Sequence, residues 1–412
     1  MNYEFFIAKR IIGSKAYKSN VSAPIIKIGI AAIAVGIVVM LIAIATGLGL
    51  QKKVREKVVA FNGHITINNY DTNDSNESLV PIATDQSFYP QFDTVEGVDH
   101  IQAVATKFGV IRTETDFEGI VLKGVGSDYN WSYLKDFLIE GRLPSYEGKL
   151  SNEVVISSYL ANRLQFKIGD DFQTIFNKDG VEELPWQRKF KIVGIFNSGF
   201  QEIDKNFMIG DLSHIQRMNK WEKNEVGNFE VYLNDFSELL ELEQQIRAQT
   251  PSTLDTQTIE EKFHTTFEWI DIFDNNTYGI IAIMIIVASI NMITALLVLI
   301  LERTQMIGVL KALGSSDWSI RKVFLYNAAY LIGLGLIFGN CVGLFLLFAQ
   351  KKFGILKFPD PEQYYVSVIP VHISLDYIIL LNIGTFVVCF LMLLIPSVII
   401  SKIAPVKAIR FD

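Results

Sequence analysis

Cysteine is almost missing from this 412-residue chain: Cys341 and Cys389 are its only two, and both sit in long apolar runs. That excludes a disulfide framework and a thiolate metal site, so any water-exposed domain must stand on its own hydrophobic core. Histidine is nearly as scarce. His64, His100, His214, His264 and His372 show neither H-E-x-x-H nor any other paired spacing, and G-x-S-x-G does not occur, so no zinc-hydrolase or serine-hydrolase site is read. The one Gly-Lys pair, Gly148-Lys149, is followed by Leu150 and has Leu143 where a phosphate-binding loop places its first glycine. That loop needs backbone amides, a lysine and a hydroxyl at fixed spacing, so this chain does not hold ATP by that route. No catalytic residue, metal ligand or cofactor of its own is expected.

Charge is the next thing lacking. Ile28 to Leu50, Tyr278 to Leu301, Phe324 to Ala349 and Tyr377 to Ser401 contain no Asp, Glu, Lys or Arg. At about 1.5 Å per residue each can cross a hydrocarbon core of roughly 30 Å, and the Gly and Pro inside them are tolerated in lipid. The first run is too long for a secretory signal and no small-x-small cleavage site follows it, so it is expected to stay in the mature protein. The chain therefore divides into an N-terminal segment (1–27), a first span (28–50), an insertion (51–277), a second span (278–301), a loop (302–323), a third span (324–349), a short loop (350–376), a fourth span (377–401) and a tail (402–412).

Lys and Arg in the short flanks set the orientation. Lys9, Arg10, Lys15, Lys18 and Lys27 precede the first span, Arg303, Lys311, Arg321 and Lys322 lie in the 302–323 loop, and Lys402, Lys407 and Arg410 lie in the tail. These three segments are expected in the cytoplasm, and four spans give both termini that side. One feature resists. Lys52, Lys53, Arg55 and Lys57 follow the first span on the outer side, although long loops translocate largely regardless of charge.

The insertion then faces outward. It holds 22 Lys plus Arg against 37 Asp plus Glu, a net of −15 within a chain total of −7. That field argues against nucleic acid as a partner. Strand-period alternation in Phe190 to Phe196 and Gly227 to Leu233, with helical spacing in Ser157 to Leu164 and Ser237 to Arg247, reads as α+β, and its length suggests two lobes. Residues 69–93 are polar and read as a loop. The fold class is thus a four-helix membrane protein with a large α+β extracytoplasmic domain between helices 1 and 2. Gln51 to Phe61 prolongs the first span with good helix formers and apolar Val54, Val58, Val59 and Phe61, until Asn62-Gly63 supplies a stop. A helix from Ile28 to Ala60 is roughly 50 Å long and projects on the order of 20 Å beyond the hydrocarbon. Ile259 to Asn275 reads as a second such stalk, running unbroken into the second span.

In the 302–323 loop, Met306, Val309, Leu310 and Leu313 recur at helical spacing, Gly314 suits the end of that helix, and Ser315 or Ser316 suits the cap of the next. Periodicity alone allows a turn resting on lipid headgroups as readily as a docking helix.

The run Glu302 to Gly314 resembles the E-R-T-x-E-I-G-x-x-[KR]-A-x-G signature of permeases related to MacB, FtsX, LolC and LolE. It departs at Met306, where many members carry an acidic residue. Ala404-Pro405-Val406-Lys407-Ala408-Ile409-Arg410 is similar to that family's D-P-x-x-A-[LI]-R terminus. Phe6 to Arg10, Phe61 to Ile67, and Phe190 to Phe196 continued by Asn197-Ser198-Gly199-Phe200-Gln201-Glu202-Ile203-Asp204 resemble the LolC/LolE branch.

This resemblance implies one permease of an ATP-binding-cassette complex in a bacterial inner membrane. A second permease copy or paralogue and a dimer of cytoplasmic ATPases would complete it, with ATP and Mg held by the ATPases. In the family, force passes mechanically from ATPase to outer domain. Glu302, Arg303, Gly308, Lys311 and Gly314 then belong to the coupling segment, with Arg303 and Lys311 in polar contact with the ATPase and Ile307, Val309 and Leu310 seated in its cleft. For the LolC/LolE branch the cargo is a triacylated lipoprotein passed to a periplasmic lipoprotein chaperone. Three chains of about 15 methylenes at about 0.8 kcal/mol each put full exposure to water at on the order of 36 kcal/mol, so an apolar path is needed. Ile37, Met40 and Ile44 are candidates to line a cleft open to membrane lipids and cargo, and a purely lipid-facing role is the alternative. A chaperone-recruiting hairpin would fall between Phe172 to Phe176 and the strand from Phe190, with Asn177-Lys178-Asp179-Gly180 as its turn. Trp186, Gln187 and Arg188 are its candidate contacts, or an ordinary surface loop. Gly335, Gly339 and Gly343 share one helix face, either at a seam with the partner permease or in packing within the chain. Asn291 and Asn340 are expected to make interhelical hydrogen bonds. A MacB-like export or efflux permease and an FtsX-like regulator of a cell-wall hydrolase remain the other readings.

Overall fold

A computed structural model of the protein describes residues 3–12, 22–70, 77–92, 95–114, 116–146, 148–177, 185–359 and 366–403. Lys15, Lys18, the turn residues Lys178, Asp179 and Gly180, and the Ala404 to Arg410 terminus lie outside them. The helices are α1 (Tyr3–Ile12), α2 (Ser22–Asn62), α3 (Ser132–Lys135), α4 (Ser158–Arg163), α5 (Gln201–Asn206), α6 (Leu212–Asn219), α7 (Leu239–Gln249), α8 (Ile259–Lys262), α9 (His264–Glu302), α10 (Thr304–Ala312), α11 (Asp317–Phe353) and α12 (Leu375–Ser397). The strands are β1 (Ile65–Asn69), β2 (Ile82–Ala83), β3 (Val98–Arg112), β4 (Phe117–Val125), β5 (Leu138–Gly141), β6 (Glu153–Ser157), β7 (Asp171–Phe176), β8 (Trp186–Phe196), β9 (Phe207–Asp211), β10 (Glu225–Val226), β11 (Asn228–Leu233) and β12 (Leu254–Thr258). They form two compact units: a membrane unit over residues 1–52, 269–357 and 368–412, and an extracytoplasmic unit over 53–268 and 358–367.

In the membrane unit α2, α9, α11 and α12 (the last with the 3-10 turn after it) are long and apolar enough to cross a bilayer; the first three each contain one uncharged run, and α12 holds the fourth as far as Ser397. Past Pro396, α12 gives way to a 3-10 turn, Val398–Lys402. Small residues let α11 approach α2. A Cβ added at Gly335 would lie 2.7 Å from the Ile33 Cβ, at Gly339 2.7 Å from the Ile37 Cβ and 2.8 Å from the Ala34 carbonyl oxygen, and at Gly343 2.8 Å from the Leu41 Cδ1. The glycine stripe therefore serves packing within the chain. Gly339→Ala is expected to destabilise the detergent-solubilised protein by about 1–3 kcal/mol, because the added methyl overpacks a closed contact. Gly333→Ala, whose Cβ would meet nothing within 4 Å, should leave its thermal unfolding unchanged.

The same packing corrects the expected cargo cleft. Ile37 and Met40 are fully buried in the helical core and present no open surface. Ile44 is partly buried and borders a small void with Leu48 and Tyr377. Asn340 on α11 does make the interhelical bond: its amide and that of Asn382 on α12 donate to each other at 2.6 and 3.0 Å. Each thereby satisfies in its partner a group that lipid could not. Asn291 is half-buried.

The extracytoplasmic unit is built on one mixed ten-stranded sheet, in the order β12-β1-β11-β3-β4-β9-β6-β8-β5, with β7 pairing both β3 and β8. This replaces the expected two lobes. The reason is β3, whose 15 residues pair β11 through their first half, β4 through most of their length and β7 at their end. Parallel pairs β4–β9 and β6–β8 interrupt the antiparallel order. The expected strands at 190–196 and 227–233 are β8 and β11, and α4 and α7 fall where helical spacing places helices. Among its described residues the 69–93 loop contains one short strand, β2, paired with β10.

Of the two stalks, the first ends as the sequence suggests: α2 runs to Asn62, and Gly63 at φ +72° closes it by donating to the Val59 carbonyl at 2.8 Å. The second starts later than expected. Thr258 and Glu261 form a reciprocal cap on α8, Phe263 leaves helical geometry with its ring edge-on to Phe200, and the unbroken helix begins at His264.

Candidate functional site

The coupling segment is an elbow. Helix α9 stops at Glu302, Arg303 leaves helical geometry, α10 follows, Gly314 at φ +90° turns the chain, and the Ser316 hydroxyl accepts the Ser319 amide at 3.3 Å to start α11. Its apolar stripe splits along the middle. Ile307 and Gly308 are buried, and Met306 and Leu310 pack on the helical core. Glu302 and Gln305 are exposed, with Val309 45%, Leu313 79% and, at the head of α11, Trp318 54% exposed.

This revises the residue roles. Ile307 and Leu310 face their own chain, while Val309 presents outward. Lys311 is not an outward contact: only 10% exposed, its ammonium donates to the carbonyls of Ile400 at 2.8 Å, Ile403 at 3.0 Å and Ser401 at 3.3 Å, and pairs with Asp317 at 2.9 Å. It caps the end of the 3-10 turn that follows α12, where carbonyls run short of helical donors. Arg303 is half-buried. Leu313 and Trp318 complete the outer face; Leu313 belongs to the helical stripe of the sequence, whereas no periodic signal marks Trp318. Beside this elbow, α1 lies on α11, with Ala8 and Ile11 against Val323 and the Glu4 carboxylate accepting from the Ser319 hydroxyl at 3.0 Å.

In the extracytoplasmic unit, β7 and β8 form the expected antiparallel pair, with Phe176 opposite Trp186 and Thr174 opposite Arg188. Trp186, Gln187 and Arg188 are thus strand residues and not a loop. Strand alternation puts Trp186 and Arg188 on one face, where the guanidinium stacks 5.0 Å from the indole centroid, and leaves Gln187 exposed on the other.

A buried polar network sits at the end of the first stalk. The Lys123 ammonium donates to the Phe61 carbonyl at 2.6 Å and to both oxygens of Glu230 at 2.6 and 2.8 Å, and the Gln102 amide donates to Glu230 at 2.9 Å. All three side chains are almost wholly excluded from water. They pin the last turn of α2 to β3, β4 and β11. Burial beside Glu230 pushes the Tyr232 and Tyr129 phenols well above their usual range. Next to them His64, whose Nδ1 accepts the Leu233 amide at 3.0 Å, is lowered by burial to about 4, with Asp99 opposing the shift. Between that value and the ordinary 6.5 the unfolded chain binds more protons than the folded one. Stability is therefore full above pH 6.5 and falls, by up to about 3 kcal/mol, as the pH drops towards 4. His64→Asn should flatten that slope in thermal unfolding of this unit.

The Asn197 to Asp204 stretch is a tight loop tied by one carboxylate. Asp204 accepts from the Ser198 amide at 3.0 Å, the Ser198 hydroxyl at 2.7 Å and the Gly199 amide at 3.0 Å, and Gly199 has φ +65°.

A four-helix membrane unit and a large α/β unit inserted after its first helix are the architecture that comparison with known proteins matches. Residues 278–405 match the FtsX-like permease C-terminal family and residues 28–249 the MacB-like periplasmic core domain. The chain belongs to the MacB/FtsX superfamily of ABC transporter permeases. It is 20% identical to the lipoprotein-releasing system transmembrane protein LolC of Xylella fastidiosa, over 92% of both chains. It is 19% identical to LolE of Haemophilus influenzae over 99% of both. Among solved structures, the periplasmic region of MacB from Actinobacillus actinomycetemcomitans superposes with a TM-score of 0.33 at 15% identity, covering 50% of this chain and 92% of that one.

Proposed function

We propose that this permease works in a complex that lifts acylated lipoproteins out of the inner membrane and hands them to a periplasmic chaperone, with nucleotide hydrolysed by a separate cytoplasmic ATPase that holds ATP and Mg. The observation that carries the reading is near-end-to-end similarity to proteins named lipoprotein-releasing, with both membrane and inserted units included. The elbow supports the engine's place. Glu302, Gln305, Val309, Leu313 and Trp318 offer an apolar centre with a polar edge, the composition of a protein contact. Both termini and the elbow are then cytoplasmic and the sheet unit periplasmic. The β7–β8 hairpin, with its stacked Trp186 and Arg188, is the contact offered to the chaperone.

Helices α2 and α9 run without interruption from the spans into the outer segments, so a push on the elbow has an unbroken helical path along α9. Depletion of the protein should leave lipoproteins in the inner-membrane fraction, read by quantitative proteomics of separated membranes. Normal lipoprotein sorting would sink the proposal and leave export or hydrolase regulation.

A further inference from the structure

The two ends of the outer sheet are finished differently. At one end α7 covers β12: the Arg247 guanidinium donates to the Thr256 carbonyl at 2.7 Å, and the Thr256 hydroxyl donates to Glu243 at 2.9 Å. At the other end β5 pairs only with β8, and the backbone of Leu138 to Gly141 has no further partner among the described residues. Which groups stay open follows from two bonds at its ends. The Phe137 carbonyl accepts the Asn197 amide at 2.9 Å, and the Arg142 amide donates to the Val193 carbonyl at 2.9 Å. A trans peptide points its C=O and N–H in opposite directions, so the Leu138 N–H and the Gly141 C=O face away from β8. An edge of this kind is a template for one more strand, and proteins ordinarily blunt it with Lys, Pro or a covering element. Leu138-Ile139-Glu140-Gly141 has neither Lys nor Pro, and Ile139 is 56% exposed.

Ile139 is also in the wall of a cavity of about 680 Å³ within the same unit. The charges there are matched inside the protein: Lys57 lies within electrostatic reach of Asp204, and Arg163 is 3.7 Å from both Asp116 and Glu118. Lys205 is occupied by the Gln201 side-chain oxygen at 3.0 Å and stands 5.7 Å from the Tyr159 ring centroid. By contrast, the hydroxyls of Ser158 and Tyr159 and the Asn162 amide in the wall have no hydrogen-bond partner among the described residues. The cavity thus offers open donors and acceptors without a bare charge, which suits neutral polar groups. The bare edge narrows the ligand further, because it answers to another backbone, whose side chains project to one face at every second residue. We infer that β5 takes up an extended, uncharged polar stretch of polypeptide as an added strand, with alternate side chains in the cavity beside it. On the transport reading, on which this source rests, the stretch belongs to the polypeptide of the acylated cargo.

Fluorescence anisotropy of the purified full-length chain, without ATPase or cargo, tests the added strand apart from transport. The probe is a labelled, end-capped peptide of alternating threonine and asparagine, and saturable binding is expected. Leu138→Pro, which removes the outward N–H, and Ile139→Lys, which sets a charge on the exposed edge, should each weaken it on the order of ten-fold. Ile139→Lys disturbs no buried group and covers the case in which the proline variant misfolds. Leu240→Lys, an exposed change on α7 at the covered end of the sheet, should change nothing. The same peptide methylated on its backbone nitrogens should not bind; equal binding of that peptide, or equal binding by the Ile139→Lys variant, would overturn strand addition. Saturable binding of a neutral oligosaccharide such as chitotriose, with none of the peptide, would overturn the occupant in favour of a glycan. In cells, a photo-crosslinker at position 139 should capture acylated proteins, and capture of a second copy of this chain instead would overturn the cargo as the source. A chain that binds no peptide, yet whose depletion still leaves lipoproteins in the inner membrane, would overturn the strand and leave the transport reading standing.

Discussion

Replacing Lys123 by methionine is expected to cost about 3–5 kcal/mol, because it takes from the buried Glu230 carboxylate the ammonium that donates to both its oxygens, and from the Phe61 carbonyl its donor. For a unit of this size that is a fall in midpoint of roughly 10 °C. The double variant Lys123→Met with Glu230→Leu should recover most of the loss, since a pair replaced by apolar groups no longer leaves a bare charge. Differential scanning calorimetry of the solubilised chain separates the outcomes. A single variant melting within about 1 °C of the parent, roughly one-tenth of the expected fall, would mean that the pair is not what holds the stalk end.

Leu313→Asp should abolish co-purification of the ATPase while leaving thermal unfolding of the permease unchanged. Leu313 is the most exposed large apolar side chain of the elbow's outer face, and a carboxylate there spoils an apolar contact centre without disturbing the core. Loss of a central anchor is worth about 2 kcal/mol or more, roughly a thirty-fold weaker complex. Lys311→Met should do the reverse in kind. It removes the cap from three carbonyls and lowers the permease's own stability by about 1–3 kcal/mol. If Lys311→Met proved neutral for stability yet broke ATPase binding, Lys311 would be an outward contact after all. A quantitative pull-down with purified ATPase, beside a melting curve of each variant, reads both effects.

The spans are legible in the sequence because a run of more than twenty residues without charge has few other uses, and that signal lies in consecutive residues. The position of the elbow is legible too, from Gly314 and the serine cap. Which edge of its stripe turns inward is not, because the group that decides it, the Lys311 ammonium, is bound to carbonyls 89 to 92 positions further along. The stalk-end network escapes for the same reason. Lys123 and Glu230 stand 107 residues apart, and each looks locally like one outward charge on an alternating strand. The β7–β8 pairing is as the sequence suggests, but the turn signal at Asn177 to Gly180 gives no sign of how early β8 begins, so Trp186 to Arg188 read as loop. The sheet's unity rests on β3, where length and not composition lets one strand serve three neighbours.

One ammonium gripping the carbonyls of Ile400, Ser401 and Ile403 makes the 3-10 turn after α12 a passenger of α10. A fluorophore attached at Lys402 would ride with that short helix, so its signal would report any movement of α10.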